Sequence, residues 1–263
     1  MERMPLPEPA DRPMGILAEP NPDRALLASL DGVVYARHPV RTHLVTEADD
    51  PFEVLRRYAS PLPPDVTLVG VSERMVAITQ SRSHPMSTIR PRRLARFLVR
   101  FVTRPGYGIG LGTAETMQLA IDEVGAPRIL LAAVVSGITK PLGVHGLFYR
   151  IAGRQAAAID GPTAYTIPPY NQAATLGPRD PDRVARQLAA ELSVPVAVID
   201  ANDAGCNALG LSNGLSRRLV ERLFADNPLG QAAEQTPIAI VRRISWPPSD
   251  PLPPEPRRRL TPP

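Results

Sequence analysis

Apolar positions in this chain come in short runs divided by proline and glycine, and the spacing within each run predicts the element it forms. Val66–Val71 (VTLVGV) and Val196–Ile199 (VAVI) are continuous and rich in β-branched residues, the pattern of strands buried on both faces. Val40–Val45 alternates as a strand does, and Leu147–Ile151, Ala156–Ile159, Ala173–Leu176 and Pro237–Arg242 read as further strands. Asn207–Leu211 reads as a short strand or a loop. Helical spacing predicts Arg92–Arg104, with Leu94, Phe97, Leu98, Phe101 and Val102 on one face, and Thr113–Val124. Asp50 before Pro51 and Asp180 before Pro181 are start signals for two more helices, the second reaching Leu192. Ser212–Phe224 reads as a loop leading into a helix. For Ile129–Thr139 the period does not separate helix from strand.

Composition adds the tails. The chain has 32 prolines, more than twice the usual share of about 5%, crowded at the two ends and in loops. The expectation is a disordered tail over residues 1–30, an ordered domain over 31–245 and a second disordered Pro/Arg-rich tail over 246–263. A net charge of +4 is mildly basic and permits anionic ligands, but it is spread too thinly for a dedicated nucleic-acid binder. Lys140 is the single lysine, which excludes the P-loop signature and a kinase-type lysine motif elsewhere. One cysteine, Cys206, cannot form an internal disulfide. The opening MERMPLPEPADRP lacks the apolar core of a signal peptide, and the longest apolar run, Ile129–Val135, is too short to span a bilayer. These features lead to the expectation of a cytoplasmic protein without a membrane partner.

Candidate chemistry concentrates in Val194–Gly210. Asp200, Asn202 and Asp203 follow a buried strand directly, with Gly205 behind them. Clustered oxygen ligands at a strand end suit a hard divalent cation; the alternative is that the same side chains cap the next element or form Asx turns. Asp160 closes another predicted strand. If the two strands lie side by side, Asp160 with Asp200 and Asp203 can share one Mg²⁺ or Mn²⁺, an ion suited to phosphoryl transfer.

Other chemistries find little support. The chain contains no G-x-S-x-G elbow, its four histidines are too scattered for a zinc site, and Cys206 sits among carboxylates that disfavour its thiolate. The glycine run Pro105–Gly112 is either an anion-holding junction or a flexible connector. Arg96, Arg100 and Arg104 form a stripe that is either a solvated helix face or a grip for RNA, and no aromatic residues interleave with it to stack bases.

Several segments resemble, in order and wording, the coenzyme F420:γ-glutamyl ligase family, F420 being a deazaflavin coenzyme. The likeness runs from about Val40 to Arg243. It rests on VTLVGVSER (Val66–Arg74), His145-Gly146, Ile159-Asp160, ATLGPRDPDRVARQLAAEL (Ala174–Leu192), VAVIDANDAG ending at Gly205, and the small-residue segment Asn207–Gly214. The resemblance implies an α+β fold with mixed sheets and packed helices. It also implies a homodimer that uses GTP and Mg²⁺ or Mn²⁺ to join glutamate to a deazaflavin-type acceptor. The acceptor carboxylate would take the γ-phosphoryl group and the amine would then displace phosphate. Asp160, Asp200, Asn202 and Asp203 would hold the metal. Ser72, Glu73, Gly146 and Gly205 would line the cofactor site, and Arg74, His145 and Arg150 would neutralise charge.

The chain departs from the family pattern at named positions. Arg74 stands where lysine is usual, Gln80-Ser81 replaces an acidic residue and glycine, and Asn202 replaces a carboxylate. The arginine-rich stretch expected after Gly205 is here Cys206-Asn207-Ala208. These departures open a second reading, a noncatalytic relative that binds a ligand or acts as a scaffold, with its proline-rich tails recruiting partners through polyproline grooves.

Overall fold

The computed structural model describes residues 14–102, 110–139, 143 and 146–244. In chain order the strands are β1 (Gly15–Ile16), β2 (Leu27–Leu30), β3 (Val33–Arg41), β4 (Val66–Ser72), β5 (Ser83–Pro85), β6 (Ala173–Thr175), β7 (Val196–Asn202), β8 (Gly205–Leu211) and β9 (Ile238–Ile244). The helices are α1 (Pro51–Ala59), α2 (Glu73–Thr79), α3 (Arg93–Leu98), α4 (Ala114–Val124), α5 (Ala126–Thr139), α6 (Leu147–Ala152), α7 (Arg154–Ala157), α8 (Pro181–Leu192) and α9 (Arg217–Leu223). This is a mixed α+β architecture. It divides into two compact units, a sheet unit built from residues 14–80 and 178–244 and a helical unit built from the described residues of 81–177.

The sheet unit carries a seven-stranded mixed sheet in the order β1-β3-β9-β4-β7-β8, with β2 also paired to β3. Its centre is where the β-branched runs lie. β4 and β7 are parallel neighbours, Val69 opposite Val196 and Ser72 opposite Ile199, and β9 runs antiparallel to both β3 and β4. Alternation sends Leu68, Ala197, Ile199, Ala239 and Val241 to one face, where Val220, Leu223 and Phe224 of α9 and its exit cover them. Gly70 is required there. A Cβ at that position would stand 2.5 Å from the Phe224 ring, so only glycine lets the ring lie on the strand. Gly210 has a similar role in β8, where a Cβ would meet the Pro181 carbonyl oxygen at 2.1 Å.

Three local expectations need correcting in this unit. Residues 15–30, read as tail, include β1 and β2, because β3 offers these short segments an edge to pair with. β3 begins at Val33 and stops at Arg41, so Thr42–Val45 lies outside the strand. The helix after Asp180 is present, but Asp180 adopts φ +46 and its side chain makes no cap bond; Pro181 alone marks the start. Asp50, by contrast, caps α1 by accepting the Phe52 N–H at 2.7 Å.

The helical unit packs Leu98, Met117, Ala120, Ile121, Ile129, Ala132, Phe148, Ala152 and Ala156 into one core beside the β5–β6 pair. Thr113 and Thr116 form a reciprocal capping box at the start of α4. The ambiguous Ile129–Thr139 run is helix α5, its buried residues Ile129, Ala132 and Ser136 falling at helical intervals. The strands expected over Leu147–Ile151 and Ala156–Ile159 are instead α6 and α7. Phe148 and Ala152 are buried while Arg150 between them is exposed, the interval of a helix; a strand would put all three on one face. The amphipathic helix predicted to reach Arg104 is shorter: α3 passes into a 3-10 turn at Val99–Phe101, and Arg104 lies outside the described residues. Phe97, assigned to its apolar face, is 53% exposed. No helix among the described residues is long and apolar enough to cross a membrane.

Candidate functional site

The parallel pairing of β4 and β7 puts their carboxyl ends at one edge of the sheet, the position where open α/β sheets commonly form ligand crevices. β4 delivers Ser72, Glu73 and Arg74 there, as the strand passes directly into α2. β7 delivers Asp200 and Asn202, which share a face because they are two residues apart. All five are half-buried. The Ser72 N–H donates to the Pro237 carbonyl at 2.7 Å, while its hydroxyl makes no cap bond to α2. Ser72 lies opposite Ile199, so the two strand ends are neighbours in the sheet.

Beyond Asp200, β7 turns back as a hairpin into β8, Asn202 pairing with Gly205 across the two-residue turn Asp203-Ala204. The turn is an Asx structure: Asn202 Oδ1 accepts the Ala204 N–H at 2.9 Å, and Asn202 Nδ2 faces Asp200 Oδ1 at 3.4 Å. Asp203 Oδ1 accepts from Arg24 Nη2 at 2.6 Å, and Arg24 Nη1 also donates to the Asp226 carbonyl at 3.1 Å. Gly205 takes φ +145, a conformation few other residues adopt. As arranged, these side chains do not fit a shared divalent ion. The Asn202 oxygen is used by the turn, its nitrogen faces Asp200, and Asp203 is neutralised by a guanidinium. Among the described residues no group of three or more His, Cys, Asp or Glu is placed to hold a metal.

The other predicted residues belong to the helical unit. Asp160 is not the tip of a strand beside β7, whose sheet neighbours are β4 and β8. It forms an isolated backbone bridge with Thr175, each N–H donating to the other's carbonyl at 2.9 Å. Gly146, at φ +81, and Arg150 are exposed at the two ends of α6. His145 and Lys140 lie outside the described residues, as does most of the Pro105–Gly112 glycine run. Gln80 Nε2 donates to the Arg179 carbonyl at 3.0 Å and Gln80 Oε1 accepts the Arg179 N–H at 2.7 Å, so this side chain holds two chain segments together. Ser81 takes φ +55, in the left-handed region.

The Cys206 thiol is pushed up to about 12, first by burial and then by the carboxylates of Asp200 and Glu221. It is therefore no nucleophile at neutral pH. One constellation escaped the sequence reading. His43 Nδ1 contacts the Tyr58 hydroxyl at 2.9 Å and Nε2 contacts Asp49 Oδ1 at 2.9 Å. Burial alone would raise the Asp49 carboxyl, but bonds from the Thr46 N–H and hydroxyl and from His43 outweigh it and hold the group below its ordinary value. Asp49, His43 and Tyr58 pin the loop after β3 onto α1. The six-residue spacing from His43 to Asp49 was the only available signal, and it is too common to be diagnostic. No protein-family model matches the chain, and no curated protein matches it significantly.

Proposed function

We propose that this protein is a divergent relative of the coenzyme F420:γ-glutamyl ligases that keeps their fold as a ligand-binding module and does not perform metal- and GTP-dependent γ-glutamyl transfer. The observation that carries this reading is the β7–β8 hairpin, where Asp203 is paired with Arg24 and Asn202 is used by its own turn. The same hairpin has Cys206, Asn207 and Ala208 where the family has arginines to meet phosphate charge. Ligand binding is assigned to the β4/β7 strand ends, with Arg74 as the cation and Ser72 and Asp200 as hydrogen-bonding groups. The family likeness further implies a homodimer.

The test uses the full chain with GTP, Mn²⁺, glutamate and the deazaflavin acceptor. No glutamate mass is gained by the acceptor, and calorimetry detects acceptor binding that Arg74→Ala weakens. Glutamate addition at enzymatic turnover rates overturns the reading.

One observation favours the second reading, an active ligase: β4 and β7, which carry Ser72-Glu73-Arg74 and Asp200 at their ends, are parallel neighbours. On that reading Asp200→Asn abolishes product formation while leaving the fold intact by circular dichroism.

A further inference from the structure

The helical unit contains a groove of about 320 Å³ lined by His84, Thr88, Ile89, Arg90, Arg92, Gln118, Leu119 and Asp122. That volume lies at the lower end of small-molecule sites, which run from about 300 to 1,000 Å³. One wall is the segment from β5 to the start of α3, and the other is the exposed side of α4. Both walls are fixed. The Arg92 N–H donates to Gln118 Oε1 at 2.9 Å, the Gln118 Nε2 donates to Asp122 Oδ1 at 2.9 Å, and Gln118 itself is only 3% exposed. The Thr88 hydroxyl donates to the Pro85 carbonyl at 2.8 Å, and Arg90 Nη1 donates to the Ser87 carbonyl at 3.1 Å, which shapes the loop above the groove.

The charge balance sets the ligand class. α4 ends with two adjacent acids, Asp122 and Glu123. Glu123 is removed from the balance because Arg82 Nη2 donates to it at 2.7 Å in the interior, both side chains being nearly buried. Asp122 accepts from Gln118 and stands 3.6 Å from Arg92 Nη2, too far for a hydrogen bond. Among the described residues, Arg90 makes no ion pair. One carboxylate thus stands against two guanidinium groups in the lining, and Ile89 and Leu119 add apolar surface.

We infer that this groove binds a compact organic oxyanion, a carboxylate or phosphate group on a small apolar body, with Arg90 and Arg92 gripping the anion and Ile89 and Leu119 contacting the body. Guanidinium forks suit either group because both present two oxygens in a plane. The groove lies within the helical unit, so its chemistry does not depend on the strand-end site or on the family reading.

The experiment titrates the full chain with benzoate and with phenyl phosphate by calorimetry, alongside Arg90→Gln, Arg92→Gln and the control Arg96→Gln, an exposed arginine outside the groove. Saturable binding of at least one probe is expected, falling about tenfold in Arg90→Gln or Arg92→Gln and unchanged in Arg96→Gln. Tighter phenyl phosphate assigns a phosphate ligand, and tighter benzoate assigns a carboxylate. No binding of either probe overturns the inference, as does equal loss in all three variants, which marks nonspecific charge attraction. Amide chemical-shift changes centred on Gln118 and Leu119 place the probe in the groove. Changes confined to Ser72–Arg74 would instead belong to the strand-end site and overturn the groove assignment.

Discussion

The sheet unit and the helical unit handle their charges differently. In the sheet unit arginines are matched to acids far away in sequence. Arg37, 1% exposed, donates to both oxygens of Asp226 and to the carbonyls of Ala25 and Leu223. Arg24 meets Asp203, Arg222 meets Asp31 and Arg242 meets Asp65. In the helical unit one pair, Arg82 with Glu123, is drawn inside, and the cations of the neighbouring groove face solvent with a single acid among them. Where each guanidinium is matched, it stabilises architecture. Where cations outnumber acids in a concave surface, the imbalance is available to a ligand. The Asp200–Asp203 tip of β7 therefore sits in the unit that holds the long-range arginine pairs.

The largest effect that would test this contrast is removal of an acid paired with a buried arginine. Asp226→Ala leaves Arg37 charged in the interior and is expected to lower stability by about 3–5 kcal/mol, measured by urea denaturation. Glu123→Ala is expected to cost about 3 kcal/mol, with hydrogen exchange accelerating in α4 and α5 ahead of the central strands. If exchange rose equally in β4 and β7, the two units would not unfold separately.

Reactivity of Cys206 follows. With its thiol raised to about 12, alkylation by iodoacetamide at pH 8 should run about a thousandfold slower in the native protein than in urea. The sign for stability is opposite to that of a paired acid. A thiol raised on folding favours the native state below the ordinary thiol range, and that contribution is lost as pH rises toward 12. Asp200→Asn should speed native alkylation, since it removes one of the charges opposing the thiolate. An unchanged rate would mean that burial alone controls the thiol.

The smallest effect is expected at the hairpin tip. Asp203 is 60% exposed in its pair with Arg24, so Asp203→Ala should change stability by less than about 1 kcal/mol. A variant that instead lost Mn²⁺-dependent stabilisation of the wild-type chain would return Asp203 to the metal site.

Much of the sheet was legible in advance because it rests on local signals. VTLVGV and VAVI are strands since β-branched runs have few other ways to be buried, Asp50-Pro51 announced α1 through a cap a few residues long, and α4 lies within the predicted Thr113–Val124. The failures at α6 and α7 share a cause. LFYRIA and RQAA are short enough that a helical and an alternating stripe coincide over most positions. Only the core supplied by α4 and α5 selects between them. For the candidate site, the parallel pairing of β4 and β7 places Ser72 opposite Ile199, the residue before Asp200. Asp160 closes no strand of the large sheet and instead bridges Thr175 within the helical unit.

What the sequence by itself determined is the set of elements whose reasons lie within a turn or two of chain: the central strands, the capped helices and the acidic, amide-bearing tip of β7. The tertiary structure alone decided that residues 15–16 and 27–30 become strands, that α6 and α7 are helices, and that Asp203 is held by Arg24 from 179 positions away. The physical reason is range. Backbone preference and hydrophobic period act between neighbours, whereas edge pairing and charge neutralisation depend on which distant groups the folded chain brings within a few ångströms.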